Sequence, residues 1–140
     1  MTAFDPESPI TRILIIEDDE DLCTMLGTIL FSKQRIIESA FTLSLASSYL
    51  QRFNPDIILL DQNLPDGKGF DFLKKITLSH PRAKIIMMTS QTFKDDEQHP
   101  LKSGASYFMP KPFTLQAIVQ LIAHLCPAEA LQLRHTQGTA

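Results

Sequence analysis

The chain has 140 residues, the size of one domain, and 44% of them are hydrophobic, enough for a core and too many for a disordered chain. Its net charge of −3 leaves no basic footprint for nucleic acid, and no apolar run approaches the ~20 residues of a membrane-spanning helix. The opening MTAFDPESPITR lacks a basic segment followed by an apolar one, so no secretory signal is read and the cytoplasm is the expected compartment.

Residues 1–10 carry Pro6 and Pro9 among polar residues and read as a loose lead-in. RILIIEDD is a short apolar run that closes on acids. DLCTMLGTILFSK sets Leu22, Met25, Leu26, Ile29 and Leu30 at helical spacing. RIIESA reads as a strand, and LSLASSYLQRF as a helix stopped by the Asn54-Pro55 turn signal. DIILLD is the continuous apolar run expected of a strand covered on both faces. FDFLKKI follows as a short helix and AKIIMMTS as another buried strand. DDEQHPLKSG is a weak helix interrupted by Pro100, which removes a backbone hydrogen bond and costs about 3 kcal/mol inside a regular helix. ASYFM is a short strand with Pro110 behind it, which suits a sheet edge. TLQAIVQLIAHL is strongly amphipathic and is predicted to turn Leu115, Ile118, Val119, Ile122 and Leu125 inward. The polar stretch 127–140 is predicted to fray.

Strands and helices alternate five times, which predicts one α/β domain with a parallel sheet over residues 11–126. Cys23 and Cys126 are far apart in sequence, and buried free thiols are favoured over a disulfide because nothing suggests export.

Polar groups fall where the strands end. Glu17, Asp18 and Asp19 close the first strand, Asp61 the third, Thr89 and Ser90 the fourth, and Lys111 follows the fifth. In an open parallel sheet those ends share one crevice. Singly, each has an ordinary reading: Asp19 as a cap for a helix starting near Glu20, Thr89 as a strand residue, Lys111 as a solvated charge. Together they make a chemical site. Crowded carboxylates repel and call for a cation, and hard oxygen ligands suit Mg²⁺. Carboxylates, a divalent metal, a hydroxyl and a lysine together suit phosphoryl chemistry.

These residues also resemble a known family, the response regulator receiver domains of two-component signalling, over about Arg12 to Leu125. ILIIEDDE resembles the first-strand acid motif, PDIILLDQNLPDGKGF the phosphoacceptor strand and its loop, KIIMMTS the fourth strand with its hydroxyl, and GASYFMPKPF the fifth strand with its Lys-Pro motif. The resemblance implies a flavodoxin-like, doubly wound sheet of five parallel strands in the order 2-1-3-4-5, flanked by about five helices. It implies Asp61 as phosphoacceptor, Mg²⁺ held by Asp18 and Asp61 directly, by Glu17 through water and by the Asn63 backbone carbonyl, Lys111 against the phosphoryl oxygens, and Thr89 bonded to the phosphorylated state. Phe108 would be the aromatic switch position, acting through packing since it has no hydroxyl; a plain core aromatic is the alternative. A cis Lys111-Pro112 bond is also implied.

The implied function is a signalling switch rather than an enzyme acting on a separate substrate. The resemblance implies a histidine kinase or histidine phosphotransfer protein as the donor; none of the four histidines lies in the converging set, so the donor histidine is expected on another protein. The output surface would be the fourth helix, fifth strand and fifth helix, meeting a downstream protein or a second copy of the chain, without nucleic-acid contact or membrane insertion. Two alternatives stand beside this. A Mg²⁺-dependent phosphatase with an Asp nucleophile would place a second acid two residues on, where this chain has Asn63. A receiver-like binding module that is never phosphorylated should lack some of the acid, hydroxyl or lysine groups, and all are present. GKG at 67–69 lacks the residues of a phosphate-binding loop.

Overall fold

The computed structural model describes residues 9–91 and 99–126. In chain order the elements are β1 (Thr11–Ile16), α1 (Glu20–Leu30), β2 (Arg35–Ala40), α2 (Leu43–Arg52), β3 (Ile57–Asp61), the short strands β4 (Asn63–Leu64) and β5 (Gly67–Lys68), α3 (Gly69–Ser79), β6 (Lys84–Thr89), a 3-10 turn (Pro100–Ser103), β7 (Tyr107–Pro110) and α4 (Leu115–His124). Five strands form one sheet in the order β2-β1-β3-β6-β7, every pair parallel, while β4 and β5 form a separate antiparallel hairpin. With that hairpin set aside, this is the predicted order 2-1-3-4-5 of a flavodoxin-like sheet.

The apolar runs are continuous because both faces of the sheet are covered. Side chains of a strand alternate between faces. Ile13, Ile15, Ile57 and Leu59 pack with α1 and α4, while Leu14, Ile16, Ile58 and Leu60 pack with α2 and α3. All five residues of β3 are buried. Such a strand has little freedom, so its last residue, Asp61, is held in a fixed place. Cys23 and Cys126 are buried free thiols in the α1/α4 layer.

Two expectations change. In α4 only Ile118 and Ile122 are buried, whereas Leu115 and Val119 stay 40% and 38% exposed. The apolar stripe of α4 is wider than the surface that receives it. The row of Ile118 and Ile122 meets the core, and the neighbouring row of Leu115 and Val119 does not. The fourth helix, where it is described, is a four-residue 3-10 turn with Pro100 at its start. There the missing N–H of proline has no helical partner to lose. Residues 92–98, which include the first four residues (95–98) of that expected helix, most of the lead-in (1–8) and the tail (127–140) lie outside the described residues. Among the described residues are thus four α-helices and this turn, and no helix is long and apolar enough to cross a membrane.

Candidate functional site

The site lies at the carboxyl ends of β1, β3, β6 and β7. Beyond β1 the Glu17 N–H still donates to the Ala40 carbonyl (3.1 Å), so the chain leaves the sheet one residue late and carries the Glu17 side chain into the crevice. The Asp19 N–H donates to Glu17 Oε1 (3.2 Å), and Asp19 Oδ1 caps α1 by accepting from the Leu22 N–H (3.1 Å). The ordinary reading of Asp19 therefore holds. Asp61 ends β3, and its Oδ1 accepts from the Gln62 N–H at 2.9 Å. Thr89 ends β6, buried, with Oγ1 accepting from the Gln91 N–H at 3.0 Å. The Lys111 N–H donates to the Thr89 carbonyl (2.9 Å), and the Lys111-Pro112 bond is cis.

The lysine side chain crosses to the acids. Lys111 Nζ lies 2.9 Å from Glu17 Oε2 and 3.2 Å from Asp61 Oδ1. One carboxylate oxygen from each of Glu17, Asp18 and Asp61 lies within 4.8 Å of the other two. Glu17 and Asp61 are only 1% and 6% exposed, so water screens their charges poorly. Burial pushes the Glu17 carboxyl up; the Lys111 hydrogen bond opposes this, Asp61's charge adds to it, and the group sits above the usual carboxylate range. For Lys111 burial pulls the other way, but the Glu17 hydrogen bond and the charges of Asp61 and Glu17 outweigh it and hold the ammonium above its ordinary value. One ammonium thus serves more than one carboxylate. Three hard oxygen donors around a deficit of positive charge are a donor set that fits Mg²⁺.

The other predicted residues lie close by. Asn63 opens the β4–β5 hairpin, two residues past Asp61, and its exposed side-chain oxygen accepts from Lys68 Nζ (2.7 Å). Phe108 lies on β7 opposite Met87; it is half-buried against the α2/α3 core, its ring edge-on to His99 at 5.2 Å.

Three residues around Asp61 have roles that the sequence reading did not assign. Gly69 sits against the end of β3: a Cβ there would overlap the Asp61 carbonyl oxygen and lie 3.0 Å from its carbon. A glycine is required by that close approach. Asp66 accepts from the N–H groups of Leu43 and Ser44 at 2.8 and 2.9 Å, so it caps α2 from across the loop. Gln62 is buried and accepts from the Phe70 N–H at 2.8 Å. The only signal for these was the density of Asp and Gly after an apolar strand, which marks a turn without saying what the turn touches.

A doubly wound sheet with acids, a hydroxyl and a lysine at its carboxyl edge defines a class that comparison with known proteins makes specific. The family model for the response regulator receiver domain matches residues 13–123. The chain is 32% identical to the response regulator protein PilR of Pseudomonas aeruginosa over 91% of its length and 27% of that protein's. It is 30% identical to the cell cycle response regulator CtrA of Brucella ovis over 79% of its length and 48% of that protein's. The chain therefore spans half or less of these relatives. Among solved structures, a two-component response regulator from Clostridium difficile superposes with a TM-score of 0.77 at 28% identity, covering 84% of this chain and 96% of that one. The non-phosphorylated HemR receiver domain of Leptospira biflexa gives 0.75 at 31% identity, covering 82% and 93%. The chain belongs to the response regulator receiver family. Receiver domains are signalling domains of two-component systems, so a phosphoacceptor switch is the function its family supports.

Proposed function

We propose that Asp61 accepts a phosphoryl group in a Mg²⁺-dependent reaction and that the modification changes a partner-binding surface. The observation that carries this is the placing of Asp61: at the end of a buried strand, 3.2 Å from Lys111 Nζ and within 4.8 Å of ligand oxygens of Glu17 and Asp18. An Asp61 carboxylate oxygen attacks phosphorus, the bond from phosphorus to the donor breaks, and the donor leaves with the electron pair. With a phosphohistidine donor that bond is P–N, and the imidazole takes a proton on leaving. Lys111 holds a fixed ammonium where phosphoryl charge gathers, and Thr89 offers a hydroxyl from the end of β6. Asp18 and Asp61 would hold Mg²⁺ directly, Glu17 through water, and Asn63 through its carbonyl. Bound there, the metal would neutralise charge on the phosphoryl oxygens.

The donor is a histidine kinase or histidine phosphotransfer protein, and the chain acts in the cytoplasm on no substrate but its own aspartate. The output surface is the region of the 3-10 turn, β7 and α4, where Leu101, Leu115 and Val119 are exposed apolar groups. Phe108, on β7 between that surface and the core, is the packing switch. Asn63 leaves no second acid beside the nucleophile, which speaks against a phosphatase.

Incubation with acetyl phosphate and Mg²⁺, followed by mass spectrometry, tests the reading. One phosphoryl group on Asp61 is expected. Equal labelling of an Asp61→Asn variant would overturn the assignment.

A further inference from the structure

Gln62 stands outside the set of reacting groups, yet it is only 7% exposed and every polar group it carries is bonded. Its N–H lies 2.9 Å from Asp61 Oδ1 and 3.1 Å from the Met88 carbonyl. Its main-chain carbonyl accepts from the Gly69 N–H at 2.8 Å, and its Oε1 accepts from the Phe70 N–H at 2.8 Å. Its Nε2 lies 3.5 Å from Gln91 Oε1.

Two consequences follow from this pattern. The first amides of a helix need acceptors, usually from the N-cap side chain. Lys68, the N-cap of α3, makes no such bond. Gln62 supplies two carbonyls in its place and so is anchored to α3 at both ends of its own residue. That anchorage fixes the direction of the Gln62 N–H, which with Lys111 Nζ grips one oxygen of Asp61. In addition, the Gln91 N–H donates to Thr89 Oγ1 at 3.0 Å. A chain of hydrogen bonds therefore runs from Asp61 through Gln62 and Gln91 to the Thr89 hydroxyl.

We propose that Gln62 is a positioning residue for phosphoryl transfer, orienting the Asp61 carboxylate through its own N–H and tying that orientation to Thr89 through Gln91. The inference rests on the reading of Asp61 as phosphoacceptor. A carboxylate free to rotate spends less time in the attacking geometry, and such misplacement lowers a rate without removing any reacting group.

The test compares the parent with Gln62→Met, Gln62→Glu, Gln91→Ala and Asp66→Ala, all with Mg²⁺. The readouts are the rate of Asp61 labelling by acetyl phosphate and hydrogen exchange at the Phe70 amide. Gln62→Met removes both side-chain bonds; labelling falls roughly fivefold or more, the scale of one net hydrogen bond, and Phe70 loses protection. Gln62→Glu keeps the acceptor for Phe70, so protection stays and labelling falls less. Gln91→Ala alters an exposed side chain, so the fold is safe, and it slows labelling while leaving Phe70 protected. Asp66→Ala loosens the same loop without touching Gln62 and labels at the parent's rate. Parental labelling rates in both Gln62→Glu and Gln91→Ala would overturn the proposal, as would Asp66→Ala slowing labelling as much as Gln62→Met. A parent that labels on Asp61 while these fail leaves the phosphoacceptor reading standing; a parent that does not label removes that reading and this inference together.

Discussion

The helices on the two faces of the sheet are fastened differently. On one face α1 and α4 are capped from within: Asp19 accepts from Leu22 three residues on, and Thr114 from Ala117. On the other face α2 has its own Thr42 cap, but its first two amides go to Asp66, more than twenty residues ahead. There α3 has no cap side chain of its own and takes Gln62 instead. Both remote caps lie in the segment that follows Asp61. The α2/α3 face is thus hydrogen-bonded to the loop that follows Asp61, while the α1/α4 face starts its helices with local residues. A disturbance of that loop should be felt by α2 and α3 first.

Glycine substitutions should break this comparison most sharply. Gly69 begins α3 against Asp61, and an added methyl meets backbone that cannot yield. Gly69→Ala should cost about 3 kcal/mol, the upper end of overpacking, and should displace Asp61 as well. Gly27 in α1 has nothing within 4 Å of where a Cβ would stand. Gly27→Ala should instead stabilise by roughly 0.5–1 kcal/mol through helix propensity. Urea unfolding of the two variants checks both signs; equal effects would erase the contrast.

Removing the Asp66 carboxylate should come next. Its hydrogen bonds to Leu43 and Ser44 hold its pKa below the ordinary aspartate range. A carboxyl with a depressed folded pKa adds stability that is present above the unfolded value and lost as pH falls through the folded one. Asp66→Ala should lower the melting temperature at pH 7, speed exchange at the Leu43 and Ser44 amides, and have a smaller effect in strong acid. An equal loss in strong acid would mean that the charge is not the cause.

Asp19→Ala removes one local cap and should cost about 1 kcal/mol, with exchange quickened at the start of α1 and not in α2 or α3. The smallest effect concerns Cys23 on the α1/α4 face. Burial pushes this thiol up to about 11, and its Sγ–H donates to the Glu17 carbonyl (3.3 Å). At pH 8 iodoacetamide should modify Cys23 far more slowly than a small free thiol. The stability linked to this group is present below an ordinary thiol pKa and is lost as pH rises through about 11.

The same contrast explains what could be read from the sequence. Apolar runs, their alternation with helical spacing and the acids at their ends are local patterns, and they led to a parallel α/β sheet and to the Glu17, Asp18, Asp61, Thr89 and Lys111 cluster, while the strand order came from the resemblance to receiver domains. Asp19 was legible as a cap because its acceptor lies three residues away. Asp66 and Gln62 were not, because their partners are set by how the hairpin folds back over the sheet. Gly69 stands out in the sequence only as one of two glycines after Asp61, and its need for close contact with Asp61 appears only once α3 is packed. In α4 the periodicity was plain, but Leu115 and Val119 face outward because the width of an apolar stripe does not say how much of it finds a partner.

The central claim is that Glu17, Asp18 and Asp61 form a charge-crowded metal pocket, and melting curves with chelator and with Mg²⁺ test it most directly. Crowded like charges oppose folding, so in chelator Asp18→Asn and Asp61→Asn should each melt above the parent. If the folded pocket holds Mg²⁺, the ion should stabilise the parent by about 1.4 kcal/mol at roughly ten times Kd, with a smaller gain in both variants. If both variants melt below the parent in chelator and Mg²⁺ moves none of the three, the carboxylates do not form a metal pocket and the phosphoryl site loses its physical basis.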